Sequence, residues 1–279
     1  GLIKHKLAEM AIKTFVAESM VYRTAGLIDS ILESAKPGSP NYEAITLKGI
    51  EEYAVECSII KVYNSEALDY VVDEGVQIYG GYGYSEEYPM ARAYRDARIN
   101  RIFEGTNEIN RLLITGMILR RSMKGELPLQ SEAMKAFESL MSPSFEEIDS
   151  SIPFATEKVA IQNLKTLFLI LSGAGVQKFM EKLSDEQEIL MAAADIIIQI
   201  FAVESAVLRA EKISAGLSQA RQEQLAAAVK VFTFNASEEA ATAARKAAYY
   251  VEEGDTLTMI LSGVRRFTKY DAAGLLTAK

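Results

Sequence analysis

Between residues 2 and 34, apolar side chains fall at helical spacing: Leu7, Met10, Ala11, Phe15, Met20, Val21, Leu27, Ile28 and Ile31. That pattern predicts one long helix. Lys36-Pro37-Gly38-Ser39-Pro40-Asn41 breaks it, because proline removes a backbone donor and clashes with the preceding turn. A second helix is predicted over 42–79, ended by a glycine-rich turn at 80–84 with Pro89 beyond it. Shorter helices are predicted over 89–101 and 106–123. Residues 124–154 carry Gly125, Pro128, Pro143 and Pro153 and read as a linker, with at most one short helix at 130–141. Helical patterning resumes over 155–183, 185–215 and 218–253, and 255–279 is ambiguous. No stretch shows the period-two alternation of a strand. The expected fold is all-α: a helical bundle over 1–123, a linker over 124–154, and a second helical bundle over 155–279.

The two halves share a pattern. Phe15-Val16-Ala17-Glu18-Ser19-Met20-Val21-Tyr22-Arg23 parallels Phe201-Ala202-Val203-Glu204-Ser205-Ala206-Val207-Leu208-Arg209. Either two bundle helices solve the same packing problem independently, or the second bundle is a degenerate copy of the first. Duplication would have Phe201 face a core as Phe15 does. The stripe Ile196, Ile197, Ile200, Phe201, Val203, Val207 reads as core, with a membrane-surface role for the second half as the weaker reading.

Composition narrows the chemistry. Of 279 residues nearly half are hydrophobic, Trp is absent and Gly and Pro are sparse, as helices prefer. A net charge of -8 argues against nucleic-acid binding. The one cysteine, Cys57, excludes an internal disulfide and fits a reducing compartment. Beside Val55, Ile59 and Ile60 it is expected to be a buried, inert thiol. The one histidine, His5, cannot build a His-rich metal site, and no metal-spaced carboxylate set appears. No run of 18 uncharged apolar residues is present, so no transmembrane helix is expected. The first residues lack a signal peptide's apolar core, and a start without Met in helical register is expected of a piece of a longer protein.

Three constellations carry candidate chemistry. Gly80-Gly81-Tyr82-Gly83 follows a helix, and Glu86 stands where a third glycine would be, so it is not a dinucleotide-binding fingerprint. It reads as a helix C-cap, or as an open backbone edge that meets a phosphate or ribose. Arg92, Arg95, Arg98 and Arg101 recur every three residues. They form a solvated, salt-bridged face, or a basic face toward a cofactor phosphate or a partner subunit. The third is the turn Ile102-Phe103-Glu104-Gly105-Thr106. A general base must lie within hydrogen-bond reach of the proton it takes, and displacing water strengthens a carboxylate as a base. Ile102 and Phe103 would supply that apolar flank, and Gly105 lets a ligand approach the backbone. Thr106 would cap a helix over 107–121, whose first N–H groups form an anion-friendly pole. The plainer reading is a Thr-capped helix preceded by a solvated Glu.

Taken with Lys6-Leu7-Ala8-Glu9-Met10-Ala11, with Gln77-Ile78-Tyr79-Gly80-Gly81-Tyr82-Gly83-Tyr84 and with Phe103-Glu104-Gly105-Thr106-Asn107-Glu108-Ile109, residues 1–123 resemble the C-terminal helical domain of acyl-CoA dehydrogenases. The resemblance implies that Glu104 removes the α-proton of a fatty acyl-CoA and that Gly105 lies against the thioester. It implies that Gln77, Ile78, Tyr79, Gly80 and Gly81, and separately Thr106, Asn107 and Glu108, contact flavin adenine dinucleotide (FAD). The implied reaction forms a trans-2-enoyl-CoA, with electrons passing from the flavin to an electron-transfer flavoprotein. A homodimer or larger homo-oligomer is implied, in a bacterial cytoplasm or, for a eukaryote, the mitochondrial matrix. Beyond residue 150 the length and helix pattern are similar to the extension of the very-long-chain branch. Two departures matter. The family's N-terminal helical and middle β-domains have no counterpart here, so the chain is expected to be inactive alone. Phe103 stands where many relatives carry Tyr, which bears on the acyl pocket. The rival readings are a non-catalytic helical oligomerisation module and a flavin-dependent acyl-CoA oxidase.

Overall fold

A computed structural model describes residues 1–34, 37–141, 148–149 and 151–271. The described residues are helices and turns, as the periodicity predicts, and they divide into two compact units, Gly1–Ile114 and Thr115–Lys279.

In the first unit, α1 (Leu2–Ser34) turns Ile12, Val16 and Met20 to the interior. Their four-residue spacing keeps them on one face. The expected single helix over 42–79 is two helices, α2 (Tyr42–Glu52) and α3 (Ala54–Tyr79), which meet at Tyr53 with φ −100° and ψ 21°. No Gly or Pro marks that break in the sequence; packing causes it. Both helices lie against α1, and Gly49 sits so close that an added Cβ would lie 2.7 Å from Ile31 Cγ2. The bend lets α2 and α3 each take its own angle against α1. Ile59, Val62, Tyr63 and Ala67 of α3 complete this core. A helical turn, α4 (Gly81–Tyr84), leads to α5 (Pro89–Arg98), which packs on α3. The expected helix over 89–101 tightens to a 3₁₀ turn at Ile99–Arg101. Next comes α6 (Asn107–Met123).

In the second unit, α7 (Leu129–Met141) packs on α8 (Ala155–Phe179). Contact is close, since an added Cβ on Gly173 would lie 3.0 Å from the Ala133 methyl. A 3₁₀ segment, Met180–Asp185, leads to α9 (Gln187–Ser214), α10 (Gln219–Val251) and α11 (Gly254–Phe267), which resolves the ambiguous tail as helix as far as Phe267. The α9–α10 contact is the centre of the unit. Small buried residues of α10 (Ala236, Ala240, Ala244, Ala248) let the axes approach, while Ile196, Val203 and Val207 of α9 fill the interior. Each such large side chain contributes about 1.5–3 kcal/mol by leaving water. Ile197 and Phe201 of the expected core stripe are only half-buried.

The shared pattern of the two halves extends to burial. Ile12, Val16, Ser19, Met20 and Thr24 are buried, and so are Ile198, Ala202, Ser205, Ala206 and Ala210 at the equivalent positions. Ser19 donates to the Phe15 carbonyl and Ser205 to the Phe201 carbonyl, each at 2.6 Å. Phe15 and Phe201 are both half-buried, so neither is the core residue expected of them.

Ala155–Asp185 and Gln187–Ser214 are long and apolar enough to span a membrane by length and composition, although neither is free of charges. In α9, 78% of the most apolar window is buried within the structure, the behaviour of a core helix.

The end of the described chain is tied to this bundle. Tyr270 donates to the carboxylate of Glu157, which is 1% exposed. Burial, then the Glu157 carboxylate, push the Tyr270 phenol above its usual pKa. Replacing Tyr270 by Phe leaves a buried acceptor without this donor. We expect a loss of about 1–3 kcal/mol, read from urea denaturation.

Candidate active site

The Glu104 turn is built by a reversal of backbone handedness. After the 3₁₀ turn, the Ile102 and Phe103 N–H groups donate back to the Ile99 carbonyl. Glu104 (φ 56°) and Gly105 (φ 76°) then both enter the left-handed region. Glycine does so freely, but a glutamate there costs on the order of 1–3 kcal/mol and persists only where the surroundings impose it.

Those surroundings come from α3 and α6. The Asn110 side-chain amide lies 3.4, 2.9 and 3.1 Å from the carbonyl oxygens of Glu104, Gly105 and Thr106 and donates to them. The Lys61 ammonium donates to the Gly105 carbonyl at 2.6 Å and to Asn107 Oδ1 at 2.7 Å. Asn107 is 3% exposed, and its amide donates to Ser65 Oγ (2.9 Å) and Glu66 Oε1 (3.1 Å). Arg111 closes the network with a two-pronged contact to Glu66 at 2.8 and 3.0 Å. An added Cβ on Gly105 would lie 3.0 Å from Asn110 Nδ2, so a side chain there would press on the clamp in addition to the strain of φ 76°. Thr106 caps α6 as expected: its hydroxyl accepts from the Ile109 N–H at 3.2 Å.

The charges here are mutually adjusted. Loss of hydration pushes the Lys61 ammonium below its usual pKa, opposed by the carboxylates of Glu108, Glu66 and Glu104. Glu108 is held below the usual carboxylate range by its own backbone N–H and by the Thr106 hydroxyl, with smaller help from Arg111 and Lys61. Glu108 thus already occupies part of the positive pole at the start of α6.

Glu104 itself is exposed, and so are Ile102 and Phe103 at 50% and 47%. The expected apolar shield is therefore not formed by these neighbours. Adjacency in sequence did not fold them over the carboxylate; on this turn they project outward.

The glycine segment lies elsewhere. Gly80 adopts φ 61° and ψ −138°, a conformation essentially reserved for glycine, and its N–H donates to Gln77 O. Gln77, Tyr79, Gly80 and Gly81 are exposed, Ile78 is half-buried, and a Cβ on Gly81 would meet open space. Gly83 is different: an added Cβ would lie 2.4 Å from the Val76 carbonyl oxygen. Lys61 touches the Glu104 turn from one stretch of α3 and Gln77 lies near the other end, about 24 Å further along the axis at 1.5 Å per residue. The two segments are not brought together.

Arg92, Arg95 and Arg98 are exposed, while Arg101 pairs with Asp69 at 2.7 Å. Cys57 is exposed, against expectation. In an α-helix Val55 and Ile59 share a face, and the residue midway points about 200° away. Partial loss of hydration and Glu56 still push its thiol above the usual pKa, so it stays protonated. The supports Lys61, Ser65, Glu66 and Asn110 went unnoticed in the sequence. Their only signal was the polar pair Lys61 and Ser65, four apart beside the buried Val62.

The first unit thus projects a carboxylate from a clamped, left-handed turn. Two family descriptions, both of the acyl-CoA dehydrogenase C-terminal domain, match residues 1–119 and 163–266. Together they span most of the chain, which belongs to the acyl-CoA dehydrogenase family. A probable acyl-CoA dehydrogenase of Bacillus subtilis is 41% identical over the whole chain, which covers 47% of that protein. The very long-chain specific acyl-CoA dehydrogenase of Rattus norvegicus mitochondria is 29% identical over 81% of the chain and 34% of its own length. A crystal structure of an acyl-CoA dehydrogenase complexed with FAD from Bacillus anthracis superposes on 99% of the chain and 47% of its own, with a TM-score of 0.93 and 45% identity. The chain thus spans about half the length, or less, of these relatives.

Proposed function

We propose that this chain is the part of a fatty acyl-CoA dehydrogenase that carries the catalytic base. The observation that carries this reading is Glu104, held out on a strained turn that α3 and α6 clamp from beneath. That turn aims the Glu104 side chain outward toward a ligand.

Glu104 takes the α-proton of the acyl thioester and holds it on its carboxylate. The Glu104 backbone N–H polarises the thioester carbonyl, stabilising charge as it develops there. Gly105, without a side chain, lets the thioester lie against the turn. Part of the site is supplied from outside this turn, because Ile102 and Phe103 do not enclose Glu104.

The exposed glycine edge at 80–81 offers a dinucleotide open backbone, while the positive pole at the start of α6 is shared with Glu108. The residues that would hold FAD are Gln77, Ile78, Tyr79, Gly80 and Gly81, with Thr106, Asn107 and Glu108. When bound, FAD accepts the β-hydrogen as hydride. The Asn107 side chain is committed to Lys61, Ser65 and Glu66, so it serves FAD through its backbone. Gln77 lies about 24 Å along α3 from Lys61, which clamps the Glu104 turn, so the two segments serve distant parts of the cofactor or different FAD molecules. Electrons leave to an electron-transfer flavoprotein, and the protein works as a homo-oligomer in a bacterial cytoplasm or a mitochondrial matrix. The base lies in the first compact unit, Gly1–Ile114, and α7, inside the expected linker, packs on α8 of the second.

The reading is tested by incubating the FAD-loaded full-length protein with a saturated fatty acyl-CoA and an electron-accepting dye. A product two hydrogens lighter supports it. Unchanged thioester with an intact flavin rejects it.

A further inference from the structure

We infer that Lys61 is a positioning residue for the catalytic turn: by holding the Gly105 carbonyl and Asn107 together, it fixes the direction in which Glu104 points. The inference rests on the reading of Glu104 as the base.

The geometry is specific. Gly105 is the flexible joint of the turn, because glycine exchanges easily between left-handed and other conformations. If its following peptide rotated, Glu104 would be released from its left-handed state and its carboxylate would swing. The Lys61 ammonium holds that joint at the carbonyl oxygen, at 2.6 Å. Its second bond, at 2.7 Å to Asn107 Oδ1, ties the same nitrogen to the first residue of α6. Asn107 is anchored in turn to Ser65 and Glu66 on α3, next to where Lys61 itself arises. The result is a closed loop of bonds from α3 through the turn to α6 and back to α3. The Lys61 ammonium reaches forward to the turn and to the start of α6, across more than forty residues of chain, so its reach serves the turn and not its own helix.

The ammonium suits this task. Hydrogen bonds from a charged donor are roughly twice as strong as neutral ones. Loss of hydration lowers the Lys61 pKa, and the carboxylates of Glu108, Glu66 and Glu104 around it act against that loss. Asn110 holds the same Gly105 carbonyl from the α6 side, but an amide carries no charge and is spread over three oxygens.

The test uses the FAD-loaded full-length enzyme carrying Lys61→Met or Lys61→Arg, with steady-state turnover of a fatty acyl-CoA. Lys61→Met is expected to lose about 10- to 100-fold in kcat, the order of effect of misplacing a reacting group by an ångström. KM and FAD content should stay within about two-fold, because Lys61 holds Gly105 by its carbonyl and Asn107 by its buried side-chain oxygen, and neither atom is proposed to contact the thioester or FAD. Lys61→Arg should recover most of the rate, since a guanidinium can donate to both oxygens. Wild-type kcat in Lys61→Met overturns the inference, as does a rise in KM with kcat intact, or an Arg variant as slow as the Met variant. Should Lys61→Met melt or shed FAD, Lys61→Gln, which keeps a neutral donor, carries the same expected kcat-only loss and the same refutation. A Glu104→Gln control separates the two levels. If that variant is inactive while Lys61→Met turns over normally, only the role of Lys61 falls. If Glu104→Gln retains its rate, the reading of the base falls first.

Discussion

Replacing Glu104 by Gln in the FAD-loaded full-length enzyme is expected to leave the flavin bound and acyl-CoA turnover reduced by about 10²- to 10⁴-fold, the range for removing a general base. The substitution keeps size and shape and removes only the capacity to take a proton. The turn should survive it. The bonds that fix it run from Lys61 and Asn110 to the carbonyls of Glu104, Gly105 and Thr106, and none uses the Glu104 carboxylate. Steady-state kinetics with flavin absorbance as the loading check gives the answer. A variant that turns over at the wild-type rate would remove Glu104 from the mechanism. Glu108 would not be a natural substitute, because its carboxylate is already engaged at the start of α6 and held below the usual range by its own N–H and by Thr106.

The second large effect is expected at Gly83. Its Cβ, if present, would meet the Val76 carbonyl oxygen at 2.4 Å, the Val76 Cα at 2.9 Å and the Tyr79 Cβ at 3.0 Å. Two of these are backbone atoms with no rotamer to yield. Gly83→Ala should therefore cost at least the upper end of the about 1–3 kcal/mol usual for overpacking. Because Val76 borders the segment 77–81 and Tyr79 lies within it, the strain is delivered to the proposed flavin edge, and FAD should be held more weakly. Gly81→Ala is the matched control. Its Cβ meets open space, so stability should change by no more than about 0.5 kcal/mol. Thermal melts of both variants, with and without added FAD, check this. Equal stability of the two would show that the 76–83 backbone adapts more freely than its packing implies.

What the sequence made legible was local. Periodicity located α1, α8, α9 and α10, and the Thr106 cap was readable because a hydroxyl before a helical run has few other uses. What it hid came from tertiary contact. The break at Tyr53 arises where two helices share α1, and nothing in Glu51-Glu52-Tyr53 announces it. Cys57 was misplaced by reading neighbours along the chain where the helix wheel sets them on opposite faces. The candidate base could be named from its turn, yet its apolar flank faces outward. Its supports on α3 lie about forty residues away, a pairing that only the fold creates.

The account stands on cleavage of the α-C–H bond by this site. Its most direct test is anaerobic rapid mixing of the FAD-loaded enzyme with a saturated acyl-CoA, unlabelled or deuterated at the α-carbon, followed at the flavin absorbance. The account predicts bleaching that is markedly slower with the deuterated thioester and lost in Glu104→Gln. An unbleached flavin, or bleaching at the same rate with both thioesters and in the variant, would contradict it.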